Sequence, residues 1–348
     1  MLRVLCARNI YLTLYLFAAL TANADPADYL TSSDSWFSGQ DAKIVASNIL
    51  SWQSSDGGWP KNVPTTKKLY IGEIDKLKPT YDNKATVDEL RFLARIYSVT
   101  GRTEYLTAFN QGLDYVLTGQ YPNGGWPQFH PPGKKYHRLI TFNDQVMVRL
   151  LYFVREVANN DLYKFLDQSK RQQAAKAFEK GVNCILKCQV RIQGKLTVWC
   201  AQHDEKNYQP MAARSFEPPA LSGCESVGIT RLLMSLKNPS PEVQQAVESA
   251  VEWFIKAKLT GIKLKSIKDE KGRKDRVVVK ETDSPAIWAR FYSIENCQPV
   301  FGDRDGKIHK SINEISYERR NGYSWYGQWP VKLIDTEYSS WKKRLSLK

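Results

Sequence analysis

Apolar residues recur at three-to-four spacing over Ala42 to Trp52, Thr86 to Val99, Glu104 to Leu117, Asp144 to Val157, Arg171 to Cys188, Glu225 to Leu236 and Glu242 to Ala257. That period predicts amphipathic helices, because side chains three and four apart share one helix face. Pro239-Ser240-Pro241 supplies a stop, a cap and a first-turn proline just ahead of the last of them. Period-two alternation is scarce, and only Arg276 to Lys280, built on Val277-Val278-Val279, predicts a short strand. The expected fold class is mainly α, with long irregular loops and a minor short-stranded region.

Between the helices a phrase repeats. QSSDGGW at Gln53 and QYPNGGW at Gln120 are each followed by Pro, and a looser copy from Gln189 ends in TVWCAQ around Trp199. The three Trp stand roughly 70 residues apart, which leaves room for two ordinary helices and two connections per period. Three helical hairpins around an axis, an α/α barrel-like toroid, is the simplest architecture that follows. The repeat also orders polar residues. Asp82-Asn83 follow the first Trp, Asn143-Asp144 the second, and Arg214 with Glu217 the third, each where the next helix is due to start. Helix N-capping accounts for either Asp-Asn pair alone. It does not account for the Arg, and two carboxylates and a guanidinium over one rim would offer a place to a cation and an anion together.

Charge narrows the partners. The chain holds 50 Lys plus Arg against 36 Asp plus Glu, a formal +14, and such a surplus draws in polyanions: nucleic acids, acidic lipids or acidic polysaccharides. Arg3 and Arg8, the apolar run Ile10 to Leu20 and the small residues Ala22-Asn23-Ala24 predict a signal peptide over residues 1–24, with one catalytic domain over 25–348. The run falls short of the roughly 20 apolar residues a membrane span needs, and no later stretch reaches that length. A secreted chain, extracellular or periplasmic, is expected to meet no nucleic acid, to enter no membrane and to act as a monomer. Lys263 to Arg276 is rich in Lys and Arg with little periodicity, and reads as a solvated loop. Five Cys follow the leader: Cys184, Cys188, Cys200, Cys224 and Cys297. Cys184, Cys188 and Cys200 with His203 are zinc-ligand types, but Cys184 and Cys188 share a helix face rather than a tight knuckle, so buried packing or one disulfide is the expectation.

The sequence resembles the family 10 polysaccharide lyases, which are pectate lyases, and the words run in order along nearly all of the chain after the leader. They are DGGWPKN at Asp56, YDNKAT at Tyr81, YPNGGWPQF at Tyr121, ITFND at Ile140, LTVWCAQHD at Leu196, AARSFE at Ala212, LSGCESVGI at Leu221, WARFY at Trp288, FGDRDG at Phe301 and GYSWYGQWP at Gly322. The resemblance implies a calcium-dependent anti β-elimination of polygalacturonate on an α/α toroid. Carried over by position, it implies Arg304 as catalytic base and Arg290 and Arg214 as binders of substrate carboxylates. It implies Asp144 as a calcium ligand, with Asp82 a second ligand and Asp82 and Asn83 close to the substrate. The family tends to place a small or acidic residue after that Asp, where Gln145 stands here.

The residues allow that chemistry independently. Removing the C5 proton of a uronate requires its neighbouring carboxylate to be neutralised, which a hard cation on Asp82 and Asp144 would do. Arg214 and Arg290 have the planar fork that grips a carboxylate. Two other readings use the same rim. A glycoside hydrolase on the same toroid would need an acid pair from Glu217, Glu225, Asp204 or Asp303, for which salt bridging or capping is the plainer role. A non-catalytic polyuronate binder would use the basic rim with Trp59, Trp126 and Trp329 stacked on sugars or buried as wall residues.

Overall fold

The computed structural model describes residues 25–347; the leader read over residues 1–24 lies outside them. The helices run α1 (Asp34–Ser38), α2 (Gln40–Ser51), α3 (Val87–Thr100), α4 (Thr103–Thr118), α5 (Val146–Asn159), α6 (Gln168–Cys188), α7 (Glu225–Met234), α8 (Pro241–Lys256), α9 (Tyr317–Gly322) and α10 (Tyr338–Ser346). Short turns join α3 to α4, α5 to α6 and α7 to α8, and each pair packs together. Long segments join α2 to α3, α4 to α5 and α6 to α7, and these carry the repeated phrases. In space α3, α5 and α7 touch in succession, as do α2, α4, α6 and α8. This is the two-layered winding of an α/α toroid, mainly helical as expected. With short turns at one end and long loops at the other, the polar residues of every period collect on one rim.

The repeat has a physical cause. Trp59, Trp126 and Trp199 send their indole N–H, at 2.8 Å each, to the carbonyls of Ile49, Val116 and Ile185. Those carbonyls lie in the last turns of α2, α4 and α6, where a helix leaves acceptors without partners. Gln53, Gln120 and Gln189 each donate to a carbonyl of their own loop and to one of the next outer helix, Ala108, Ala177 or Ala246. A fourth Trp, Trp288, repeats the indole bond to Phe254 at the end of α8, also at 2.8 Å. Among the described residues α3–α4, α5–α6 and α7–α8 are the three hairpins expected, and Trp288 adds a fourth indole tie at the end of α8. The fourth escaped because it lacks the DGGW lead-in. Trp59 and Trp126 are fully buried, so they are wall residues and stack on no sugar; Trp329 is half-buried.

The expectation about the basic run changes. Lys274–Lys280 forms a strand paired antiparallel with Ile262–Lys268, Leu264 opposite Val278, so the run is a β-hairpin and not a solvated loop. Leu264 and Val278 lean on a second apolar cluster built around Trp325 and Phe301, while the lysines face solvent. Asp275 anchors the hairpin to α9 through Arg320 and Asn321. The five cysteines among the described residues are free thiols. His203 is wholly buried, bonded to the Cys200 amide at 3.1 Å and the Tyr208 carbonyl at 2.7 Å, and burial lowers its pKa to about 4. Among the described residues no helix is long and apolar enough to cross a membrane.

Candidate active site

Two turns of similar backbone open the rim. Thr80-Tyr81-Asp82-Asn83-Lys84 and Thr141-Phe142-Asn143-Asp144-Gln145 both enter the left-handed region, with φ of 50° and 71° at Asn83 and Lys84 and of 49° and 63° at Asp144 and Gln145. Asn and Asp tolerate that region; Lys and Gln occupy it at a cost, a pattern that clusters at functional sites. The turns pack against each other at the entrances of α3 and α5. Neither acid caps its helix: neither helix has a side-chain cap bond. The turns carry Asp82, Asn83 and Asp144 side by side on the rim, with Asn83 and Asp144 lining one cleft.

Their surroundings differ. Asp82 is buried, ion-paired with Lys61, and accepts from Gln128 Nε2 at 2.8 Å and from the Asn83 amide at 2.8 Å. Asn83 is exposed and donates to Asn62 Oδ1 at 3.0 Å. The Asp144 side chain is 43% exposed; it accepts from Asn143 Nδ2 at 2.7 Å and faces Arg290 Nη2 at 3.4 Å.

Arg290 follows the short strand Trp288–Ala289 and is held beneath the rim by Glu225, the first residue of α7. Burial opposes the Arg290 charge, but the Glu225 carboxylate outweighs it and the pKa is raised. Arg214 makes a two-pronged bond to Glu217, which also accepts from the Tyr323 hydroxyl at 2.8 Å, and that partner raises its pKa. Arg304 is exposed and bonds Glu318 at 3.1 and 3.0 Å, which again raises its pKa. A base needs its pKa lowered, so any downward push on Arg304 has to come from a bound polymer and cation. Arg319 shares Glu318, and the two arginines, Arg319 foremost, hold that carboxyl down at about 2.

Two rings gather these guanidiniums. Arg214, Arg304 and Arg319 lie 4.7, 5.0 and 4.3 Å from the Phe216 ring centre. Arg290 and Arg214 lie 4.7 and 5.8 Å from that of Tyr323. The structure thus brings Arg214, Arg290 and Arg304 together and adds Arg319, which no motif word marked. The acids weighed for a hydrolase are all engaged: Glu217 and Glu225 by arginines, Asp204 by the amides of Lys206 and Asn207, Asp303 by Ser316. Asp305 turns to Lys307, so both acids flanking Arg304 point away from its head group.

The profile of the pectic acid lyase family matches residues 53–334, a span that takes in every rim residue above. The chain belongs to this family. A mutant family 10 polysaccharide lyase from Cellvibrio cellulosa, solved in complex with trigalacturonic acid, is 33% identical with a TM-score of 0.77, over 90% of this chain and 96% of that one. A second structure of a family 10 polysaccharide lyase from Cellvibrio cellulosa matches at 33% identity and TM-score 0.77, over 92% and 98%. No curated protein matches. The protein is a polysaccharide lyase enzyme.

In this lyase Asn83, Asp144, Glu225 and Arg290 line one cleft of about 490 Å³. Whether it suits calcium can be asked of its oxygens. The Asp144 carboxylate is open to the cleft; of the amide oxygens on either side of it, Asn143 Oδ1 is buried without a hydrogen-bond partner, and Gln145 Oε1, equally unpartnered, packs against Gly228 of α7. An open carboxylate is the hard oxygen donor that a cation taking 6 to 8 oxygen ligands prefers. Asp82, in contrast, is already engaged by Lys61. Among the described residues no group of three or more acids, His or Cys is arranged to hold a metal, so substrate carboxylate and water would have to complete the shell.

Proposed function

We propose that this lyase is secreted and cleaves the α-1,4 links of polygalacturonate (pectate) by calcium-dependent anti β-elimination, leaving 4,5-unsaturated oligogalacturonides. The observation that carries the reading is the open Asp144 carboxylate set against Arg290, with Arg214 and Arg304 on the adjoining rings. The complex of the Cellvibrio relative with trigalacturonic acid supports the substrate class.

Asp144, with Asn83 beside it, would hold the calcium while Asp82, engaged by Lys61, buttresses the turn; the bound ion would supply the charge that neutralises the uronate carboxylate and acidifies the C5 proton. Arg290, locked by Glu225, offers a fixed fork to a carboxylate. A neutral guanidine then takes the C5 proton as the O4 leaving group departs, and no water is added across the bond. Arg304 is the base implied by the resemblance. Arg214 is the second candidate, and one observation favours it: it shares the Tyr323 ring with Arg290, whereas the contacts of Arg304 stop at Phe216. The proton to be removed lies next to the neutralised carboxylate, so the base belongs on the Asp144 and Arg290 side. In either case the neutral form is a small fraction at pH 7, and the rate should climb well into the alkaline range.

The test is to incubate the protein with polygalacturonate, with and without a chelator, and follow the ultraviolet absorbance of the unsaturated uronide. Chelator-sensitive growth of that absorbance is expected. Reducing ends without the chromophore would establish a hydrolase, and binding without new ends a non-catalytic binder.

A further inference from the structure

The floor of the cleft holds a guanidinium that the rim chemistry leaves unused. Arg149, the fourth residue of α5, lines the cleft together with Asp144 and also lines a second cavity, and Gln145 and Cys224 line both with it. Its Nη1 is buried with no hydrogen-bond partner. The neighbouring guanidiniums are all held by carboxylates: Arg290 by Glu225, Arg214 by Glu217, Arg304 and Arg319 by Glu318, and Arg91 by Glu156. Arg149 forms no ion pair within 4.0 Å among the described residues. A buried charged donor without a partner destabilises a fold, and it persists where a ligand supplies what is missing. Acids act on its charge only from beyond ion-pair distance, Asp88 first and then Asp82 and Asp144, so a bridging water would satisfy the donor without forming an ion pair.

We propose that Arg149 binds a uronide carboxylate at the floor of the cleft, below the rim arginines. This rests on the reading of the substrate as a polyuronate. The planar fork matches a carboxylate in two-pronged fashion and finds no equal partner in a methyl ester, so Arg149 makes this subsite select an unesterified sugar.

The probes are trigalacturonate and its methyl ester, titrated calorimetrically in the presence of a chelator into the wild type, Arg149→Met and Arg149→Lys, with thermal melting recorded alongside. Arg149→Met should weaken trigalacturonate binding on the order of 10- to 100-fold, leave ester binding unchanged, and melt no lower than the wild type. Arg149→Lys keeps the charge and loses the fork, so it should fall between; it carries the comparison alone if the Met variant does not fold. Wild-type affinity in Arg149→Met, or an equal loss for acid and ester, overturns the proposal. If that happens while the wild type still forms the unsaturated chromophore from pectate, the lyase reading stands. A wild type that binds no trigalacturonate and forms no chromophore overturns both.

Discussion

The Asp82 turn and the Asp144 turn share a backbone and differ in what surrounds their acids. In the first the acid comes one position earlier, at the place of Asn143 in the second, and points into protein toward Lys61 and Gln128. In the second the acid stands at the place of Asn83 and points into the cleft toward Arg290. A helical repeat copies the chain path because indole and amide bonds to helix ends recur. It does not copy electrostatics, which depend on what the neighbouring loops bring. One turn has become a buttress with a buried ion pair, and the other keeps its charge available.

The largest effect expected from this contrast is on Asp144. Asp144→Ala should cost activity on the order of 10³-fold, since an open charge facing the reacting carboxylate is lost. Melting should stay at the wild-type temperature, because the side chain caps nothing. Unchanged activity in the chromophore assay would place Asp144 with Asp82 as a structural acid.

On the arginine side, Arg214→Lys and Arg304→Lys keep the charge but lose the fork. The variant that removes the base should lose kcat on the order of 10²-fold or more with little change in KM, and the other should chiefly raise KM. A kcat loss confined to Arg304→Lys would restore Arg304 as base and remove the argument from the Tyr323 ring.

A third test probes the buried side of the cleft. Glu89, on the first turn of α3, is buried with Oε2 unpartnered, and burial pushes its pKa from 4.5 to about 7. Between those values the folded state keeps a proton that the unfolded chain has lost, so this contribution is full below pH 4.5 and disappears as pH rises through about 7. Glu89→Gln should abolish that decline and stabilise the protein at pH 8 by about 3 kcal/mol. Melting curves for both proteins across that range check it, and parallel curves would contradict it.

The smallest effect is expected at Lys61, whose side chain is 36% exposed. Lys61→Met leaves Asp82 with only neutral donors and should destabilise by about 1 to 2 kcal/mol in denaturant unfolding. A change in activity larger than the change in stability would show that Asp82 works in the cleft after all.

Much of the molecule was legible beforehand because its signals are local. The 3.6 period marked α2 to α8, and the Gln and Trp phrases marked the loops that bend between them. The spacing of Asp82, Asp144 and Arg214 after their Trp anticipated a shared rim. Trp288 was not legible as a fourth repeat, because only the indole bond recurs there and the surrounding word differs. The hairpin at Ile262–Lys280 was masked by its lysines; Leu264 and Val278 face an apolar cluster assembled from distant segments. Arg319 and Arg149 carry no motif, since what distinguishes them is the company they keep.

By itself the sequence determined the helical periods, the recurring loop chemistry and the set of acids and arginines presented to one end of the fold, all consequences of short-range spacing. Tertiary structure alone decided which of those charges are spent. Glu225 pairs with Arg290 across 65 residues, Glu318 divides itself between Arg304 and Arg319, and Lys61 neutralises Asp82, while Asp144 stays open and Arg149 stays without a carboxylate. Coulomb interaction acts over a few ångströms of space irrespective of chain separation, so the free charges of the cleft are a property of the folded neighbourhood and of no single stretch of chain.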